Sequence, residues 1–294
     1  MDLLVQFIID AVSVGGLYAL TAIGIGLIFG VVGLVNFAYG DFVMIGAYTI
    51  LLTIGFYWPV TILIAALVLI MVALAADFVA FRPVRLASPE TLMIVSFALS
   101  YTIQYSYVMM FGSLARTVNF LPAMSTNLEI MGIRIAGVSI LQIVATIVLT
   151  GALAAFIRFT RIGYQMRAVS ENPTMARLVG VDINKVIAAA FIASALLAVT
   201  VSVLFVAQTG TMTPFLGLNL TIIGFVATVI GGMGSLVGCA LGGFLVGFLT
   251  TLLQLALPAD LQPFREAFVF GAVVLMLLLR PGGLIMLATA RERI

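Results

Sequence analysis

Residues 16–48 read GLYALTAIGIGLIFGVVGLVNFAYGDFVMIGAY. Up to Val32 this stretch continues an apolar run that starts near residue 8, and no charge interrupts it after Asp10. A hydrocarbon core about 30 Å thick takes roughly 20 apolar residues as a helix, so the run is long enough to cross a bilayer. The second half of the stretch differs in kind. Gly30 and Gly33 break the run, and Asn36, Tyr39 and Asp41 then place an amide, a phenol and a carboxylate among glycines and aliphatics. A carboxylate inside a span costs about 2.5–3.5 kcal/mol on insertion scales, which makes Asp41 a functional candidate by default.

Composition extends the apolar character of that run to the whole chain. Of 294 residues, 64% are hydrophobic and 8% charged, with a mean hydropathy of +1.31, against roughly 25% charged in an ordinary soluble domain. Apolar segments bounded by breakers fall at about 8–32, 37–56, 59–80, 91–111, 138–157, 186–207, 218–231, 238–257 and 264–279. These exceed the roughly 10-residue alternating strands of an outer-membrane barrel. The expected fold is an all-α polytopic membrane protein with about eight or nine transmembrane segments, read as one transmembrane domain over 1–294. The seventh segment is short and flanked by glycine. Such pieces are half-helices or re-entrant segments, tolerated where protein or a wet cavity shields the backbone. The start, MDLLVQFIID, has acids and no basic n-region, unlike a cleaved signal peptide, so the first span is expected to remain in the mature protein.

Short cytoplasmic loops retain Lys and Arg. With the N-terminus outside and the C-terminus inside, Arg82, Arg85, Arg158, Arg161, Arg167, Arg177, Lys185, Arg280, Arg291 and Arg293 fall inside, and Arg116, Arg134 and Arg265 outside. Ten of the 13 basic residues then face the cytoplasm, and inversion would reverse the bias. The expected orientation is N-out, C-in.

Absent residue types exclude whole classes of chemistry. The chain has no histidine, which removes a His-based metal site, a Ser-His-Asp triad and a His proton relay. Lys185 is its only lysine and lies in INKVI, so no phosphate-binding Gly-rich loop ending in Lys-Ser or Lys-Thr exists. The single Cys239 sits among small residues and suits helix packing better than chemistry. The expectation is a non-enzyme that binds no cofactor or metal of its own. A net charge of +2 reports loop topology and gives no sign of nucleic-acid binding.

Leu20, Thr21, Ile23 and Gly24 match Leu220, Thr221, Ile223 and Gly224, and each set precedes a glycine-spaced break, GVVG at 30–33 and GGMG at 231–234. Two readings stand: an internal repeat whose broken segments meet at a substrate path, or chance likeness between two Gly-rich aliphatic stretches.

The longest polar segment is RFTRIGYQMRAVSENPTMARLVGVDINK, 158–185. Asn172 suits an N-cap, Pro173 the first helical turn and Gly180 the C′ position. Between them Met175, Leu178 and Val179 form an apolar strip on a helix too short to stand alone in water. A further short helix is expected over GYQMRA, ending near Ser170. The segment either docks a soluble partner or lies on lipid headgroups with its arginines on phosphates.

Taken together, GGLYALTAIGIGLIFGVVGLVNFAYGDFVMIGAY, FRPVR at 81–85, TRIGYQMRAVSENPTMARLVGVDINKV and ATVIGGMGSLVGCALGGFLVG resemble the branched-chain amino acid ABC transporter permeases over nearly the full length. That resemblance implies a multi-pass permease subunit of a bacterial inner membrane. It also implies a second homologous permease subunit, two cytoplasmic ATPase subunits that hydrolyse the ATP, and a periplasmic substrate-binding protein. It identifies 158–185 as a coupling loop in which Arg167, Glu171, Asn172, Ala176 and Gly180 fit a groove on the ATPase. Many relatives carry NFAHG where this chain has Tyr39 in place of the histidine, and urea and short-amide permeases share the same motifs.

For the pathway the candidates are Asn36, Tyr39, Asp41, Asn219, Thr228, Met233 and Ser235. Asn36 is expected to cap a helix, leaving Asp41 either in interfacial water at the cytoplasmic side or against an aqueous cavity or a coupling interface. Asp77, near the inner surface, is expected to reach headgroup water or to pair loosely with Arg82, five residues on; Asp10 reaches water at the outer end. Outside, the segment 112–137 with Arg116, Asn119, Glu129 and Arg134 is either a docking rim for a binding protein or a solvated loop, and Thr209–Asn219 leads into the short span. The expected function is an ABC importer permease moving branched-chain or other aliphatic amino acids inward by alternating access. The alternatives are a urea or short-amide permease, and a stand-alone channel or ion-coupled secondary transporter using Asp41.

Overall fold

The computed structural model describes residues 2–85, 87–121, 127–130, 133–279 and 283–284. Seven helices are long and apolar enough to cross a membrane among the described residues. They correspond to α1 (Asp2–Val32), α3 (Trp58–Ala76), α4 (Pro89–Phe111), α5 (Gly137–Phe159), α8 (Ile183–Thr209), α10 (Leu236–Ala256) and α11 (Arg265–Leu279), the last made long enough by the 3-10 turns over Ala259–Phe264 that lead into it. Two more apolar helices are short: α2 (Tyr39–Leu52), with 14 residues, and α9 (Leu216–Gly231), with 16. At 1.5 Å per residue they reach about 21 and 24 Å, less than the hydrocarbon core. The segment expected at 37–56 is therefore a half-length helix. Its start is delayed because Gly33 takes a left-handed φ of +72° and Asn36 Oδ1 accepts the Ala38 N–H at 3.1 Å. That closes a local turn and leaves no side chain capping α2.

Close helix contact in lipid relies on small residues, because no hydrophobic force drives apolar helices together there. Along α1 and the antiparallel α10, Gly15 meets Gly247, Ala19 meets Gly243, Gly26 meets the Cys239 thiol and Gly30 meets Gly234. Cys239 is buried and free, filling a packing position as expected. Thr21 touches Gly224, so the two look-alike stretches lie side by side.

Arg82, Arg85, Arg158 and Lys185 lie at or near helix ends that share one end of the bundle, here the arginine end. Arg280, Arg291 and Arg293 lie outside the described residues. Asp77 does not pair with Arg82. A π turn over Asp77–Phe81 and a 3-10 turn over Arg82–Val84 rotate the chain, so Arg85 reaches Asp77 at 2.5 Å and Asn184 at 2.7 Å, while Arg82 lies over the Phe78 ring. At the opposite end β1 (Arg116–Thr117) pairs antiparallel with β4 (Thr211–Met212), and β2 (Asn127–Ile130) with β3 (Ile133–Ala136). The two segments read as outer loops thus hold each other. Asn119 is exposed there; the side chains of Glu129 and Arg134 are outside what is described.

The candidate site where two half-helices meet

The first turns of α2 and α9 meet inside the bundle. A Cβ on Gly40 would overlap the Gly217 carbonyl oxygen, and one on Gly217 would lie 2.5 Å from Asp41 Oδ1. Only glycine at both places allows this approach. Thr221 secures it: its Oγ1 accepts the Gly40 N–H at 2.9 Å and lies 2.9 Å from the Gly217 carbonyl and 3.2 Å from that of Phe37. From this point α2 runs toward the opposite end and α9 toward the arginine end, together covering the depth of a span.

Asp41 is fully buried at this crossing. Its Oδ1 accepts from Gln104 Nε2 at 2.9 Å, and the same nitrogen lies 3.0 Å from Ser100 Oγ. Gln104 is roughly 22 Å along α4 from its arginine end and about 10 Å from the other. Asp41 therefore lies deep in the span and not in interfacial water at the arginine end, because residues 34–38 fold back into the bundle before α2 begins. Two helix N-termini carry partial positive charge toward it, a stabilisation of up to about 2 kcal/mol in partly buried geometry. That is of the same order as the insertion cost of the carboxylate, which explains why an acid persists here.

Around the junction Asn36 Nδ2, Tyr39 Oη and Asp41 Oδ2 are buried without a protein partner. Tyr39 is fully buried, its phenol lying against Gly24 of α1, and Phe37 stacks on Phe97 of α4 at 4.0 Å and touches Phe225 of α9. Asn36, Tyr39 and Asp41 are all buried at the helix junction, but Tyr39 faces α1 whereas Asp41 faces α4 and α9.

The other pathway candidates separate. Thr228 is buried, with its hydroxyl 3.0 Å from the Ala22 carbonyl and 2.7 Å from that of Gly224; it locks α9 to α1 and lines no open space. Ser235 caps α10, accepting the Gly238 N–H at 3.1 Å. Met233 and Asn219 are exposed. Gln104 and Ser100 were absent from the sequence candidates, although Ser96, Ser100 and Gln104 recur at helical spacing within an apolar span, a readable sign of a polar buried stripe.

At the arginine end, α6 (Arg161–Glu171) and α7 (Pro173–Leu178) form a short helical pair. Asn172 Oδ1 accepts the Met175 N–H at 3.0 Å. Gly180, at φ +87°, lets its N–H donate to the Arg177 carbonyl and that of Val181 to the Ala176 carbonyl, the paired bonds of a Schellman ending. Cap, proline and C′ glycine thus fall where the sequence puts them. Arg167 lies over the Tyr164 ring at 4.7 Å, and Glu171, Asn172 and Gly180 are exposed. Ala176 is a correction. It is buried, together with Met166 and Val169 of α6, because a six-residue helix needs a surface to lie on. The exposed apolar face is the strip read from the sequence, Met175 (59%), Leu178 (75%) and Val179 (79%).

Comparison with known proteins agrees with this architecture. The family described as "Branched-chain amino acid transport system / permease component" matches residues 7–279. The high-affinity branched-chain amino acid transport system permease protein BraD of Pseudomonas aeruginosa is 31% identical, with 95% of each chain covered. The permease proteins LivH of Salmonella typhimurium and Escherichia coli are 31% and 30% identical, covering 95% of this chain and 94% of theirs. No solved structure matches at a significant level.

Proposed function

The chain belongs to the branched-chain amino acid transport system permease component family, and from that premise we propose that it moves branched-chain or other aliphatic amino acids across a bacterial inner membrane by alternating access. It works as the permease subunit of an ABC importer, beside a second homologous permease. Two cytoplasmic ATPases supply the energy, since this chain has no phosphate-binding loop. A periplasmic binding protein delivers the substrate. The arginine end faces the cytoplasm, which the concentration of basic residues there supports, and puts the N-terminus outside.

The observation that carries coupling is the α6–α7 pair, built with good caps yet leaving Met175, Leu178 and Val179 exposed. A partner covering that apolar face would push on α6, and through Met166 and Val169 on the bundle. Arg167, Glu171, Asn172 and Gly180 form its polar surround. Domain-level division is simple: one transmembrane unit with 158–185 as its coupling segment.

Reconstitution in proteoliposomes tests this. Uptake of a labelled branched-chain amino acid is expected only with both permeases, the ATPases, ATP and the binding protein. Flux through this chain alone without ATP would overturn the importer reading in favour of a channel or secondary transporter, and uptake of urea or short amides in place of amino acids would overturn the substrate.

A further inference from the structure

At mid-membrane depth the exposed surfaces of three other long helices are aliphatic or aromatic hydrocarbon. α3 presents Leu63, Leu67 and Met71, α5 presents Val144, Ile147 and Val148, and α10 presents Leu241, Phe248 and Leu252. Lipid tails cover such faces without loss. On α4 the polar residues Ser96, Ser100 and Gln104 turn inward, yet Tyr101 (51%) and Tyr105 (56%) point outward, with Thr102 and Ser106 beside them. Tyr101 lies roughly 18 Å from one end of α4 and 15 Å from the other, at the centre of a core about 30 Å thick.

Thr102 and Ser106 place their hydroxyls on the carbonyls of Ala98 (2.7 Å) and Thr102 (2.6 Å). The two tyrosines, stacked at 6.3 Å between ring centres, hold their hydroxyls too far out for that route. Tyrosine anchors normally sit at headgroup level, whereas a phenol hydroxyl in hydrocarbon has nothing to bond. A second exposed polar group lies at the same depth: Asn219, in the first turn of α9, two positions after the Gly217 that touches Asp41, which Gln104 of α4 holds.

We propose that the face of α4 bearing Tyr101 and Tyr105, with Asn219 of α9, is a substrate-contacting wall of the wet translocation path and helps determine specificity. This rests on the importer reading above. The phenol hydroxyls and the Asn219 amide donate to the carboxylate of a passing amino acid, and the tyrosine ring faces accept its ammonium group and aliphatic side chain. On this chain the wall stands open, and the second permease closes it into a path.

The single native thiol is buried, so an introduced cysteine is the only accessible one in this subunit. In the assembled transporter, Tyr101→Cys, Tyr105→Cys and the lipid-facing control Leu67→Cys are exposed to a charged, membrane-impermeant methanethiosulfonate, with the partner subunits made cysteine-free. The thiolate is the reacting form, and it forms in water and not in hydrocarbon. Labelling at 101 and 105 is expected to be much faster than at 67, and to slow when binding protein loaded with a branched-chain amino acid is added with ATP. The Tyr101→Phe/Tyr105→Phe pair is expected to assemble normally and lose roughly tenfold in uptake, the scale of two hydrogen bonds. If wild type moves branched-chain amino acids while 101 and 105 label no faster than 67, or the double Phe variant transports normally, this inference alone is overturned. If wild type moves none, the reading beneath it falls as well.

Discussion

Replacing Gly217 with alanine sets helix propensity against packing at the junction of α2 and α9. Glycine to alanine inside a helix gains about 1 kcal/mol on propensity alone. Here the new Cβ would stand 2.5 Å from Asp41 Oδ1, 2.7 Å from the Gly40 carbonyl carbon and 2.8 Å from the Asp41 amide nitrogen. The last two belong to the backbone of α2, which cannot rotate aside as a side chain can. Overpacking of this kind costs about 1–3 kcal/mol, and shifting Asp41 away from Gln104 forfeits a charged hydrogen bond of about 1.5–3 kcal/mol. Packing wins, with a net destabilisation of roughly 2–4 kcal/mol. Gly151 of α5 is the control, because nothing lies within 4 Å of its Cβ position; alanine there is expected to be neutral or stabilising by up to about 1 kcal/mol. Heating the detergent-solubilised variants and measuring the monodisperse fraction reads both. Gly217→Ala should melt below wild type and Gly151→Ala at or above it. Equal melting of the two variants would refute the close crossing of the half-helices.

Other contacts give three more expected outcomes. Arg85→Gln leaves the buried Asp77 without its cation and is expected to cost about 3 kcal/mol, with the Asp77→Asn/Arg85→Gln double recovering most of it in the same melting assay; no recovery would remove the ion pair as the cause. On α7, Ala176→Glu forces a charge into a buried position and should destabilise α6–α7, seen as faster proteolysis within 158–185. Leu178→Glu lies on the exposed face, should leave the fold within about 0.5 kcal/mol of wild type, and should lower ATPase co-purification. Undiminished co-purification of Leu178→Glu would place the docking face elsewhere.

Much of the coupling segment was legible because its signals are local. Asn172, Pro173 and Gly180 act on backbone atoms within three residues, and each does in the structure what its spacing predicts. The face of that helix was less legible. Six residues carry no periodicity strong enough to say which side is covered, so the burial of Ala176 beside the exposed strip of Met175, Leu178 and Val179 emerged only once the neighbours were in place. The pairing of Asp77 with Arg85 in place of Arg82 has the same origin: a π turn shifts helical phase, and no composition rule announces it.

Depth is where the sequence was least informative. Asn36, Tyr39 and Asp41 alone suggest a place near the membrane surface, if α2 is taken as a full span beginning at its first apolar residue. Gln104 and Ser100, more than fifty residues away, carry no mark that ties them to Asp41. The polar periodicity within α4 was visible, but its partner was not.

By itself the sequence determined that this is a helical membrane protein, roughly where its spans run, which end is rich in arginine and which family it joins. Those properties depend on transfer free energy, local caps and motif order, all of which are written along the chain. Only the tertiary structure decided that α2 is a half-helix like the short α9, that their N-termini meet over Gly40 and Gly217, that Asp41 is held there by Gln104, and that α4 turns Tyr101 and Tyr105 outward. Each depends on which residues, distant in sequence, come within hydrogen-bond or van der Waals range, and that range is set by packing the whole bundle at once.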